Sequence, residues 1–343
     1  MTRGAADARG AQASTSLVTG GAGFLGAHVT SELLRRGHSV VVLDDLSGGF
    51  EANVPEGAKF VKGSVTDARL VAEVFERHPI DYVFHLAAYA AEGLSHFIKR
   101  FNYANNVLGS VTLINEAIEH RVRCFVFTSS IAVYGPEQTP MTEATAPQPE
   151  DPYGIAKMAV EQDLRATLRM FGLNHIIFRP HNVYGEHQNI GDRYRNVVGI
   201  FMNQLMRGEA LTVFGDGEQV RAFSYVSDVA PYIAQSVDVP EAYNEVFNVG
   251  ADLPVTLNEL AEKVMEAMQM ETPIRHLPPR QEVVNAFADH QKARRVFNMR
   301  PPVPLPEGLG RMAAWAKEVG PRQRSEFSAI EVTRGLPEVW RES

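Results

Sequence analysis

Six short runs of this chain are apolar almost from end to end: residues 16–19 (SLVT), 39–45 (SVVVLDD), 59–65 (KFVKGSV), 81–88 (DYVFHLAA), 124–130 (CFVFTSS) and 175–180 (HIIFRP). A strand with one solvated face alternates apolar and polar residues, whereas a continuously apolar strand is covered on both faces. Stretches with helical spacing separate most of the runs, at residues 27–37, 67–78, 105–120 and 152–172. Strands of this kind alternating with helices imply an α/β fold, a Rossmann-type doubly wound parallel sheet. Right-handed crossovers then bring the C-terminal ends of the strands to one edge, where such folds bind ligands.

After Arg179 the rhythm breaks. Residues 181–196 (HNVYGEHQNIGDRYRN) are polar and irregular, 197–209 look helical, and 214–223 (FGDGEQVRAF) hold a glycine-rich turn. Residues 245–250 (EVFNVG) read as a buried strand returning to the large sheet, and 256–268 as an amphipathic helix. At 343 residues the chain exceeds one ordinary core. The expectation is a smaller, interleaved C-terminal α/β lobe.

The first strand runs into TGGAGFLG, with glycines at Gly20, Gly23 and Gly26. Between a strand and a helix, such spacing gives a tight turn, a close approach of backbone to a pyrophosphate and helix-on-strand packing. The helix N-terminus adds unpaired N–H groups and partial positive charge. The second strand ends in Asp44-Asp45, eighteen residues after Gly26, where a carboxylate can accept from both ribose hydroxyls. It would repel a 2′-phosphate, and no arginine follows in DDLSGG, so NAD is favoured over NADP. Asp44 is the preferred ribose ligand because it directly ends the apolar run.

In DPYGIAK, Asp151 suits an N-cap and Pro152 the first helical position, so Tyr153 falls in the first turn. Lys157 lies one turn later on the same face. A free tyrosine, with a pKa near ~10, is a poor base at neutral pH. The Lys157 ammonium, the positive helix end and a cationic nicotinamide are expected to lower it. A tyrosine so tuned takes a proton from a sugar hydroxyl. Ser129 or Ser130, at the end of the fifth strand, can hydrogen-bond the reacting hydroxyl.

Composition removes other classes. The net charge of −8, with no basic run, gives no footprint for nucleic acid. There is no apolar run of roughly 18 residues for a membrane span and no signal-peptide core. A single cysteine, Cys124, excludes an intramolecular disulfide and a thiolate metal cluster; in its apolar strand it reads as a buried structural thiol. No metal is expected, and the expected location is the cytoplasm.

Together, TGGAGFLG, HLAA, NNVLG, TSSIAVYG, PYGIAK, RPHNVYG, FGDGEQVRAFSYVSDVA and FNVG resemble the extended short-chain dehydrogenase/reductase family. The resemblance is to its NAD-dependent nucleotide-sugar epimerase/dehydratase branch, from about residue 17 to about residue 315, and the motifs are most similar to those of UDP-glucose and UDP-N-acetylglucosamine 4-epimerases. It implies a catalytic trio of Ser130, Tyr153 and Lys157. It implies NAD contacts at Gly20, Gly23, Phe24, Leu25, Asp44, Leu86, Ala87, Ala88, Asn106, Ser129 and Pro180, besides Tyr153 and Lys157. It implies nucleotide-sugar contacts at Asn182, Asn196, Phe214, Arg221, Arg280, Glu282 and Ala286. Where the family often has an acid at the adenine edge, this chain has Gly63-Ser64. The implied division is a disordered tail at 1–13, an NAD-binding domain at 14–181 with about 222–250, and a nucleotide-sugar lobe at 182–221 with 251–335. Homodimerisation through the helices of residues 105–120 and 152–172 is implied as well.

The reaction follows by comparison within the family. Its dehydratases carry Asp-Glu directly after the trio's Ser/Thr, its UDP-glucuronate decarboxylases a glutamate at the second of these positions, and its GDP-mannose 3,5-epimerases a cysteine there. This chain has Ile131 and Ala132, which transfer no proton. What remains is 4-epimerisation: oxidation at C4, rotation of the 4-keto sugar and re-reduction on the other face, with NAD restored in each turnover. Ala286 sits where, in UDP-galactose 4-epimerases, a bulky tyrosine excludes N-acetyl groups; a small residue leaves room for a UDP-N-acetylhexosamine or a larger substituent, and the expected substrate is a UDP-hexose or a UDP-N-acetylhexosamine. Arg193 and Arg195 in the polar loop would suit an acidic sugar. The alternatives are a 4-ketoreductase, an atypical dehydratase or decarboxylase, and a non-catalytic NAD sensor on the same fold.

Overall fold

The structure, a computed structural model, describes residues 13–136, 138–280, 283–324, 327 and 329–341. But for residue 13, the tail expected at 1–13 lies outside the described residues. The first half alternates as the apolar runs require: β1 (Thr15–Thr19), α1 (Phe24–Arg35), β2 (Ser39–Asp44), β3 (Lys59–Lys62), α2 (Ala68–Arg77), β4 (Tyr82–His85), the short helices α3 (Glu92–Ser95) and α4 (Lys99–Tyr103), α5 (Gly109–Glu119), β5 (Cys124–Thr128), α6 (Pro152–Phe171) and β6 (His175–Pro180). The second half carries β7 (Val183–Tyr184), α7 (Val197–Met206), β8 (Leu211–Phe214), β9 (Val220–Ala222), β10 (Ser224–Tyr225), α8 (Ala230–Gln235), β11 (Val246–Val249), β12 (Pro254–Thr256), α9 (Leu257–Met268), β13 (Ile274–Leu277), β14 (Asn285–Ala286), α10 (Gln291–Phe297) and α11 (Leu305–Val319).

Seven strands form one parallel sheet in the order β11-β6-β5-β4-β1-β2-β3. Adjacent residues of each strand serve opposite cores. Val18, Val42, Phe84, Val126 and Ile176 pack with α1 and α8, while Leu17, Val41, Val83, Phe125 and Ile177 pack with α2, α5 and α6. Each such fully buried side chain contributes roughly 1.5–3 kcal/mol, which is why the strand sequences have no polar face. β11 completes the edge, pairing Val246 with Ile177 and Val249 with Pro180. Cys124 is fully buried in β5, where burial pushes its thiol pKa up.

The stretch read as one helix over 105–120 differs. A π-helical turn at Ala104–Leu108 joins α4 to α5. There the Asn106 amide accepts from the Tyr89 N–H (3.1 Å) and donates to Asn102 Oδ1 (2.7 Å), ties that accompany the local change of pitch. The remaining strands form three small sheets, β10-β7, β12-β9-β14 and β13-β8. They face the C-terminal ends of the large sheet across a deep cleft. No helix among the described residues is long and apolar enough to cross a membrane.

Candidate active site

The cleft has a volume of about 500 Å³, within the range of ligand pockets. One end is the β1–α1 turn. Gly20 has φ +73°, and a Cβ there would lie 2.7 Å from the Ala87 nitrogen. A Cβ on Gly26 would lie 2.0 Å from the Gly20 carbonyl oxygen, so α1 rests directly on the turn. Gly23 caps α1 and, having no side chain, makes no cap hydrogen bond. Asp44, buried at the end of β2, accepts from Ala22 N–H (3.0 Å) and Leu46 N–H (2.8 Å). Burial raises its carboxyl pKa, opposed by these backbone bonds. An uncapped helix N-terminus, a cradle that tolerates no Cβ and a buried carboxylate with remaining lone pairs fit a dinucleotide: pyrophosphate on the amides, ribose hydroxyls on Asp44. Phe24, Leu25, Leu86, Ala87, Ala88 and Pro180 line this part of the cleft. At the departure from the family pattern, the Ser64 hydroxyl lies 2.9 Å from that of Thr66.

Asn106 is not brought to the cleft. Its side chain is buried behind the wall, and its bonds to Tyr89 hold the segment that follows β4. Ser129 lines the cleft, but its hydroxyl donates to Glu161 Oε1 at 2.6 Å. The side chain is therefore spent on a buried carboxylate.

The trio does converge. Asp151 Oδ1 accepts from Gly154 N–H at 2.9 Å, and with Pro152 starts α6 so that Tyr153 enters the cleft from the first turn. Of the two serines, Ser129 is tied to Glu161, while Ser130 lines the cleft with Tyr153 and its hydroxyl accepts from the Ala132 N–H at 3.1 Å. Lys157 Nζ stands 5.7 Å from the Tyr153 ring centroid and donates to the Thr128 carbonyl at 2.8 Å. The electrostatics depart from expectation. Burial pushes the Tyr153 hydroxyl pKa up, and the Glu92 and Asp151 carboxylates add to this, while Ser130 and Arg195 oppose it. Lys157 is itself pushed down to about 7 by burial, against the pull of Glu161. In the protein alone, desolvation of an enclosed phenol outweighs the opposing Ser130 hydroxyl and Arg195 guanidinium.

On the opposite wall, Asn182 Nδ2 donates to the Ala222 carbonyl at 3.1 Å, and Asn196 begins α7 in a left-handed conformation (φ 64°). Arg280 Cζ lies 4.5 Å over the Phe214 ring. Arg221 donates to the Val220 carbonyl at 2.9 Å and to those of Val283 and Val284, fastening β14 beside β9. Ala286 is part of the same wall. Glu282 lies outside the described residues. Arg195, from the polar loop, binds Asp192 Oδ2 at 2.6 Å and stacks 4.5 Å over Tyr89.

Sequence reasoning missed four contributors. Glu92 and Tyr89 come from a segment without a motif. His181 is buried on the cleft wall, its Nε2 3.0 Å from His290 Nε2, whose Nδ1 faces Asp252 at 2.6 Å. That pairing spans 109 residues and leaves no local pattern. Trp340 reaches the cleft from the C-terminal tail, beyond every motif.

The sequence model of the NAD-dependent epimerase/dehydratase family matches residues 16–250. A UDP-glucose 4-epimerase of Mycolicibacterium smegmatis is 34% identical over 304 residues, 86% of this chain and 96% of its own. The crystal structure of UDP-glucose 4-epimerase from Thermotoga maritima, solved with UDP-glucose, superposes with a TM-score of 0.85 at 35% identity, covering 89% of this chain and 99% of that one. A dTDP-glucose 4,6-dehydratase from Streptomyces venezuelae, solved with NAD, superposes with a TM-score of 0.82 at 29% identity, covering 89% and 97%.

Proposed function

Because the chain belongs to the NAD-dependent epimerase/dehydratase family and uses NAD, we propose that it is a nucleotide-sugar 4-epimerase acting on UDP-hexoses or UDP-N-acetylhexosamines. The observation that carries this reading is the wall beside the trio. Ser130 and Tyr153 line the cleft together, yet the next two positions, Ile131 and Ala132, offer it only hydrocarbon side chains. Bound NAD supplies the hydride acceptor and donor. Tyr153 takes the proton from the sugar O4 hydroxyl as the C4 carbonyl forms and returns it when C4 is reduced on the other face. Ser130 orients that hydroxyl. The Lys157 ammonium steadies the phenolate, worth most where burial removes water. Protons and hydride return to the substrate, so nothing is consumed. The names of the similar enzymes, the Phe214–Arg280 stack and the small Ala286 support a UDP sugar.

A second reading has one observation in its favour. Glu92 is the largest charge raising the Tyr153 pKa, so a carboxylate does face the reacting centre. A dehydratase or ketoreductase would use such an acid. One experiment separates them: a panel of nucleotide sugars turned over in D₂O without added cofactor, with products resolved by NMR. A 4-epimerase interconverts C4 epimers without placing deuterium on carbon. Deuterium at C5, or stoichiometric NAD(P)H use, would sink the proposal. Tyr153→Phe should lower kcat by roughly 10³-fold while NAD stays bound; an unimpaired rate would remove Tyr153 from its role.

A further inference from the structure

Beyond α11 the chain turns back over the cleft. Asn203 of α7 fastens its start, accepting from Arg322 N–H at 2.9 Å and donating to the Arg322 carbonyl at 3.1 Å. Further on, the Glu331 carboxylate accepts from the N–H groups of Arg100 (2.8 Å) and Phe101 (2.9 Å). The Phe327 ring lies 4.8 Å from that of Phe101 and 5.1 Å from that of Tyr89. Trp340, 6% exposed, then inserts between the two walls. Its ring is 6.2 Å from Phe97 and 5.5 Å from Tyr194 on one side, and 6.0 Å from Phe214 on the other. The Arg280 guanidinium lies 5.7 Å from the Trp340 ring and 4.5 Å from the Phe214 ring, so it is held between two aromatic faces. Gly93 leaves the room: a Cβ there would come 3.3 Å from Trp340 Cη2 and 3.5 Å from Arg280 Nη1.

This is a built site. A guanidinium fixed by aromatic rings is a planar donor with little freedom left to lose, suited to a diphosphate, and the neighbouring rings suit a nucleobase. The tail lies past the residues that the family model matches. We propose that Trp340 is a substrate-binding residue. With Phe214 and Arg280 it forms the wall that receives the nucleoside diphosphate, and residues 329–340 are the strap that completes the site. The inference rests on the nucleotide-sugar reading given above.

The chain has two tryptophans, so Trp315→Phe leaves Trp340 as the fluorophore of the full-length holoenzyme. Titration with UDP should change its emission saturably, at the concentrations at which UDP inhibits turnover. In the otherwise native chain, Trp340→Ala should raise KM for the UDP sugar about tenfold. Its kcat should stay within about twofold and its bound NAD should be unchanged; Trp340→Phe should recover most of the KM. If Trp340→Ala fails to fold, the fluorescence titration and Trp340→Phe decide. UDP binding seen by calorimetry with a silent Trp340 overturns the role of the tail and leaves the epimerase reading standing. No UDP binding at all overturns both.

Discussion

Among the described residues no carboxylate touches Lys157; its amine meets the Thr128 carbonyl and the rings of Phe127 and Tyr153. Burial pushes its pKa from 10.5 down to about 7. Between these values the unfolded chain holds the proton more firmly than the folded one, so this residue makes stability rise with pH across that window. Below about 7 both states are protonated and the full cost remains. Lys157→Met should therefore abolish turnover yet raise stability at pH 7 by a few kcal/mol, roughly, with the gain shrinking toward pH 10. Thermal melts across pH check it; a fall of several degrees at pH 7 would show that the amine is net stabilising. The Tyr153–Lys157 pair was legible because helix periodicity puts residues four apart on one face. What it meets was not. Ser130 could be named from its motif, but Glu92 and Arg195 act on Tyr153 from elsewhere in the chain, and no spacing rule reports an approach made by folding.

Helix α6 carries this chemistry on one stripe: Tyr153, Lys157 and Glu161 follow at successive turns, all buried. Its start at Asp151-Pro152 and its end at Gly172 (φ 76°) could be read from the sequence, as could the strands it packs against. Glu161 could not. Its carboxylate accepts from Ser129 Oγ (2.6 Å), Arg179 Nε (2.9 Å) and Arg179 Nη2 (2.5 Å), joining α6 to the ends of β5 and β6. On the sequence it is one more glutamate in a charged helix. Breaking a buried ion pair on one side leaves an uncompensated charge, costing about 3–5 kcal/mol. Glu161→Gln should lose about that much in denaturant unfolding and should also lower kcat, because Ser130 follows directly on the Ser129 anchor. A loss below about 1 kcal/mol would mean that Arg179 finds other partners. The short pairs β7–β10 and β9–β14 were not legible either, since strands of two or three residues are too brief to show a period.

At the scale of the molecule, the sheet order places every strand end that bears a site residue along one cleft, and the second half supplies the facing wall. The opposite problem lies on the outside. The π-helical turn and α6 pack together, yet each leaves an apolar side chain in solvent, Leu108 at 63% and Ile155 at 41% exposed. Two apolar side chains on adjacent helices are what a twofold partner would cover, giving a four-helix interface of the same patch against itself. We propose that two copies of the chain pair through this face. Leu108→Glu would place two like charges at the centre of such an interface, each desolvated and without a partner. It should shift sedimentation from dimer to monomer at micromolar concentration. The monomer should retain NAD and a kcat within roughly tenfold of the parent. A variant that still sediments as a dimer would put the contact on another surface. A monomer that has lost NAD would mean that pairing supports the cleft through α6, whose first turn holds Tyr153 and lies two residues from Ile155.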